Sequence, residues 1–241
     1  MSLENKRIAI IGGTSGIGLA VARAALAERA QVVVGSSRER KVSAAKEALP
    51  GAEAFAIDVR DEASVVAFFE RVGPFDHLVF TAGDWDRMFG GGPLETLDIT
   101  AAATTFSVRF WGAVAAAKHA HKNIRAGGSI TLTDGMIAHS ARKGAVIAGA
   151  MAGAIEHLTR ALAVDLAPIR VNCVCPGLIK TDIWKGIPEE QREETWKRLT
   201  KRLPISRIGE PDEAAEAYLY LMRAGYTSAQ VLRVDGGQTA L

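Results

Sequence analysis

The sequence predicts a three-layer α/β/α domain in which one doubly wound parallel sheet carries helices on both faces. Three observations predict it. Short β-branched runs alternate with longer segments of helical periodicity, the strands are apolar nearly throughout, and a glycine-rich turn joins the first strand to the first helix. A length of 241 residues suits one such domain with a large core, so 1–241 reads as a single unit.

Taken in order, RIAII at 7–11 is the first strand, and GGTSGIG at 12–18 turns it into a helix. In that helix, GLAVARAALAER, apolar residues recur every three or four positions, as they do again in DEASVVAFFERV. QVVVG (31–35), AEAFAI (52–57), DHLVF (76–80), SITLT (129–133) and 169–174 supply the further strands. Right-handed crossovers through the intervening helices make neighbouring strands parallel and cover both faces. The alternation stops at 177–211, GLIKTDIWKGIPEEQREETWKRLTKRLPISRIGEP, which Pro188, Pro204 and Pro211 punctuate. With Trp184, Ile187, Trp196 and Leu199 as an apolar inner face, this stretch reads as a lid, a short helical excursion over a pocket.

The charge balance is close to even, 29 Lys+Arg against 27 Asp+Glu, which argues against nucleic acid or an anionic membrane as partner. No run of eighteen apolar residues occurs, and MSLENKRIAI is charged before it turns apolar, so neither membrane span nor signal peptide is indicated and a cytoplasmic location is expected. Cys173 and Cys175, two apart in RVNCVCPG, lack further cysteines for a metal site and read as buried structural thiols; no metal is expected.

Glycines at a strand-to-helix turn let the backbone approach a pyrophosphate, which then rests on free N–H groups at the helix N-terminus. The sequence here resembles the short-chain dehydrogenase/reductase family over nearly its whole length. GGTSGIG is similar to the family's TGxxxGIG loop, TAG (81–83) to the end of its NNAG, PGLIKT (176–181) to its nicotinamide-contacting segment, and RIGEPDEAAEAYLYLM with VDGG (234–237) to its C-terminal helix and last strand. The resemblance implies a Rossmann-type fold and a nicotinamide dinucleotide held by Gly12, Thr14, Ser15, Gly16, Ile17 and Gly18, by Asp58 and Val59 beside the adenine, by Ala82 and Gly83, and by Pro176, Gly177, Ile179 and Thr181. After the second strand stand Ser36, Ser37 and Arg38, with no acid among them, where a 2′-phosphate would lie; NADP(H) is therefore expected over NAD(H).

The family's reaction moves hydride between the nicotinamide and a carbonyl carbon, with a tyrosine as proton donor, a lysine four residues on that lowers its pKa, a serine and an asparagine. Alignment puts Arg109, Gly135, Ala148 and Ala152 at the asparagine, serine, tyrosine and lysine positions. No shift rescues the motif: the tyrosines are Tyr218, Tyr220 and Tyr226, and four residues on come Met222, Ala224 and Gln230. The polar residues left nearby are Asp134, His139, Ser140, Arg142, Lys143 and Arg109, of which His139 and Arg142 are expected on a solvated loop. Asp134, at the carboxyl end of a parallel strand where ligands bind in this architecture, and Arg109, a permanent cation able to pair with it or with an anionic substrate, are the candidate catalytic pair.

Three functions follow: an oxidoreductase with a non-standard active site acting on a small molecule, a nucleotide-binding sensor or regulatory subunit without turnover, and a structural partner that no longer binds cofactor. The family's association helices would contain Arg109 and Ala148, so a homodimer or homotetramer is expected, with the small residues of 144–154 near an interface.

Overall fold

The computed structural model describes residues 2–83 and 93–240. Its strands are β1 (Arg7–Ile11), β2 (Gln31–Ser36), β3 (Glu53–Ala56), β4 (Phe75–Phe80), β5 (Ile124–Thr133), β6 (Arg170–Pro176) and β7 (Val231–Val234). They form a seven-stranded sheet in the order β3-β2-β1-β4-β5-β6-β7, parallel at every pairing. The chain steps outward from β1 to β3 and then returns to β4 on the other side of β1. That reversal opens a crevice at the carboxyl ends of β1 and β4, where ligands bind in sheets of this kind.

The helices are α1 (Gly16–Ala27), α2 (Glu39–Ala48), α3 (Glu62–Val72), α4 (Ile99–Ala103), α5 (Gly112–Ala120), α6 (Val146–Asp165), α7 (Glu189–Thr200) and α8 (Pro211–Arg223). Side chains alternate across a strand, and β1 divides accordingly. Ile8 and Ile10 pack with α1, α2 and α8, whereas Ala9 and Ile11 pack with α3, α5 and α6. These are the two cores of a three-layer sandwich. Tyr218 of α8 is fully buried in the first, and its hydroxyl lies 2.8 Å from the Thr133 hydroxyl at the end of β5.

Two boundaries differ from those read in the sequence by more than two residues. β5 begins at Ile124, ahead of Ser129, because its pairing with β4 shifts register between Phe75 and His77 and carries the glycines along. The last strand is Val231–Val234, so only the valine of VDGG is in it and residues 235–237 form the turn: Gly236 and Gly237 have φ of 65° and 86°, and the Asp235 carboxylate accepts the N–H groups of Gly237 and Thr239. Within 177–211 the helical excursion is α7, whose one buried residue is Thr200. Buried Trp184 donates its indole N–H to the Ile179 carbonyl at 2.9 Å and meets Trp196 edge-on at 5.9 Å. Among the described residues no helix is long and apolar enough to cross a membrane.

Candidate nucleotide and active site

Gly12 takes φ +92°, and a Cβ there would fall 2.6 Å from the Ala82 backbone nitrogen, so only glycine lets the loop lie this close to the end of β4. A Cβ on Gly18 would fall 2.4 Å from the Gly12 carbonyl oxygen, which fixes how tightly α1 packs on its own turn. Ser15 opens α1 with extended backbone and no side-chain cap, leaving the first N–H groups of the helix without that partner. On the far side Thr181 approaches to 3.4 Å of where a Gly16 Cβ would be, and Ile179 pairs with Gly209 beside it. The glycine loop thus lies against the end of β4 through Gly12 and Gly18 and against Thr181 through Gly16, and the Gly177 N–H is tied to the Val234 carbonyl.

At the end of β2, Ser37 and Arg38 are exposed, and Arg38 begins α2. One turn on, Lys41 donates to the Ser15 hydroxyl at 2.9 Å and so joins the glycine loop to α2. Burial lowers the Lys41 pKa, Asp182 opposes this, and Arg38, Lys185 and Arg40 add to it. These like charges converge where an anion would relieve them. The Asp58 carboxylate is gripped by Arg60 at 2.9 and 2.7 Å, and that bond holds its pKa below the usual range. Asp61 is the residue that caps α3. Val59 is a packing residue, its methyl 2.6 Å from where a Gly112 Cβ would be.

At the chemical end, Arg109 occupies a π-helical stretch, Ser107–Trp111, an irregularity that recurs at functional sites. It is buried and donates to the Asp134 carbonyl at 3.2 Å, so the structure brings the two candidate residues together. Burial lowers the Arg109 pKa while Asp134 opposes the shift. Asp134 follows β5 and is 1 % exposed; among the described residues no donor bonds either of its carboxyl oxygens. Burial, reinforced by Glu156 and opposed by the Cys175 thiol and Arg109, pushes its pKa up to about 8. Burial thus favours the protonated form of this carboxyl.

Gly135 is extended, with open space where a side chain would be. Ala148 and Ala152 are buried on α6, and the same row continues one turn later to buried Glu156. His139, Arg142 and Lys143 are exposed on the loop, as expected, and His139 also places its Nε2 2.5 Å from Glu156 Oε1. Arg160 lies 3.7 Å from the other Glu156 oxygen. Both cysteines are free and buried, and burial raises both thiol pKa values.

A family profile described as enoyl-(acyl carrier protein) reductase matches residues 12–239. The chain belongs to the short-chain dehydrogenase/reductase family. It is 33% identical to the short-chain dehydrogenase/reductase ATR9 of Stachybotrys chlorohalonatus (strain IBT 40285), with 98% of each chain covered. It is also similar to a small-chain dehydrogenase whose crystal structure is a complex with NADPH, at 35% identity and a TM-score of 0.85 over 99% of this chain and all of that one. A third likeness is to the MalC reductase/Diels-Alderase of Malbranchea aurantiaca, at 30% identity and a TM-score of 0.92, covering 99% and 98% of the two chains. In this short-chain dehydrogenase/reductase, sequence reasoning missed Lys41, Glu156 and the contact of His139 with Glu156. Helical spacing offered a signal for the first two: Lys41 lies three residues after Arg38, and Glu156 four after Ala152.

Proposed function

We propose that the chain is an NADP(H)-dependent oxidoreductase of a small carbonyl or alcohol substrate, with Asp134 as the proton donor. The observation that carries this reading is a buried carboxyl at the carboxyl end of β5, with no hydrogen-bond donor among the described residues, a pKa raised by burial, and the open space at Gly135 beside it. The dinucleotide fits the residues present: the close-packed glycine loop, the uncapped start of α1 for a pyrophosphate, and Ser36, Ser37, Arg38 and Lys41 for a 2′-phosphate. When bound, the reduced cofactor supplies hydride to the substrate carbon. Pro176–Thr181 would orient the nicotinamide amide, Ala82 and Gly83 would line the crevice, and Asp58 and Val59 would border the adenine end. The structural relative that was crystallised with NADPH supports the cofactor, and the reductase named MalC supports the reaction class.

Arg109, Gly135, Ala148 and Ala152 stand at the family's asparagine, serine, tyrosine and lysine positions, so no phenol–ammonium pair delivers the proton. Asp134 takes over that role, and Arg109 fixes the backbone that carries it and attracts an anionic group on the substrate. Residues 177–211 act as the lid of a single domain. Exposed Trp111, Val146 and Val164, on and next to α5 and α6, support association into a symmetric dimer or tetramer through those helices.

The test is a titration with NADPH and NADH, followed by nicotinamide oxidation against a panel of ketones and aldehydes. Turnover that Asp134→Asn abolishes, with NADPH binding intact, carries the reading. The alanines on α6 favour a second reading, a nucleotide-binding sensor, and binding without any turnover would select it.

A further inference from the structure

We infer that His139 and Glu156 form a relay that returns protons from solvent to Asp134, a role that rests on Asp134 being the proton donor. A donor that is 1 % exposed cannot be refilled by bulk water directly. Its neighbours can do this. The ligand-bearing atoms of Asp134, His139, Glu156 and Cys175 all lie within 4.8 Å of one another. Of the four, only His139 reaches the surface, its side chain 20% exposed against 11% for Glu156.

The same four side chains could be read as a metal site, and geometry decides against it. Two ligands of one tetrahedral ion at about 2.0 to 2.2 Å each stand more than about 3 Å apart. His139 Nε2 and Glu156 Oε1 are 2.5 Å apart, too close for both of these atoms to ligate one ion. Charge points the same way. Facing the two carboxyl groups are Arg109 from the π-helical stretch, Arg160 at the outer edge of α6, Cys173 and Cys175 on β6 and Tyr218 on α8. Burial keeps both thiols and the phenol protonated, so Arg109 is the one buried cation of this set, and a proton must offset the second acid.

The transfers balance without any oxidant. Asp134 gives its proton to the substrate oxygen and becomes a carboxylate. His139 takes a proton from solvent at Nδ1 and passes its Nε2 proton to the Glu156 carboxylate, Glu156 passes a proton on to the Asp134 carboxylate, and His139 resets by losing its Nδ1 proton to solvent as Nε2 regains one. One proton enters from solvent for each that leaves on product. Glu156 and His139 act through Asp134 and do not touch the substrate.

The test uses the whole protein saturated with NADPH and infrared difference spectroscopy of the protonated-carboxyl band, comparing the wild type with Asp134→Asn, Glu156→Gln and His139→Ala. The band should vanish in Asp134→Asn, titrate at lower pH in Glu156→Gln, and exchange with heavy water about tenfold more slowly in His139→Ala. For any ketone the wild type reduces, His139→Ala should lower kcat about tenfold with KM and NADPH affinity unchanged, and added imidazole should restore it. Unchanged midpoint and exchange in the variants, or one tightly bound metal ion per chain, would overturn the relay. Reduction of ketones with an unresponsive band would sink the relay and leave the reductase reading standing. The expected infrared behaviour with no ketone reduced would sink the reductase reading while still showing proton exchange between solvent and Asp134 through His139 and Glu156.

Discussion

Two aspartates mark opposite ends of the middle of the sheet. Asp76 lies near the start of β4 and is 5% exposed; Asp134 follows the end of β5 and is 1% exposed. Asp76 accepts the Arg7 backbone N–H at 2.9 Å, the Lys6 ammonium at 3.0 Å and the Arg125 guanidinium at 3.0 Å. Burial alone would push its pKa up, but these donors outweigh it and the pKa lies below the usual range. Asp134, given no donor, is pushed up to about 8. Burial is common to both, so what separates an ionised structural carboxylate from a protonated carboxyl available for chemistry is the supply of donors. The surroundings follow suit: at the amino end His77 bonds Ser129 at 2.9 Å and Arg170 caps the last carbonyls of α8 at 2.7 and 2.9 Å.

The largest expected effect separates the two acids by function. Asp134→Asn should cost about 10²- to 10⁴-fold in turnover of any carbonyl substrate, the worth of a positioned acid, while folded Asp76→Asn should keep the wild-type kcat. Equal losses in steady-state assays would erase the distinction. Next comes His77, whose pKa burial pushes down to about 4, with Arg170 and Lys6 assisting and Asp76 opposing. Between the unfolded value near 6.5 and this one, the unfolded chain takes up a proton that the folded chain refuses. Stability should therefore fall by about 3 kcal/mol as pH drops through that window, and His77→Gln should flatten the slope in urea titrations.

A smaller effect, about 2 kcal/mol at pH 7, is expected from Asp76→Asn, which weakens three bonds to an ionised acceptor, two of them from half-exposed cations. Asp134→Asn should act with the opposite sign. The folded pKa of Asp134 is above its unfolded value near 4, so wild-type stability is lost as pH rises from about 4 through about 8; thermal melts of the amide variant should show no such decline and should exceed the wild type in alkaline buffer. The smallest effect concerns the cofactor. Arg38→Ala or Lys41→Ala should each reduce the preference for NADPH over NADH about tenfold, near 1.4 kcal/mol, measured as paired dissociation constants.

Much of this was legible in the sequence because its causes are local. The β-branched run at 7–11 and the glycines of 12–18 state their own conformation, and Asp134 is marked by its place at a strand end. The start of β5 was hidden because glycine and arginine in IRAGG give no apolar alternation, and VDGG was mistaken for strand although its glycines turn the chain. Harder still was the cluster of residues 134, 139, 156 and 175, since nothing local says which way α6 is rotated or where the loop after Gly135 returns. Lys41 was overlooked for the same reason: its partner, Ser15, belongs to another helix.

The bond from Trp184 to Ile179 gives the protein an optical reporter. This indole is buried, stands edge-on to Trp196, and is anchored to the stretch that would clasp a nicotinamide. Excited indoles emit at wavelengths that a reduced nicotinamide absorbs. Occupancy of the crevice is therefore readable, without any label, as quenched tryptophan emission and sensitised nicotinamide glow, and Trp184→Phe would dim that signal while the exposed Trp111 continued to emit.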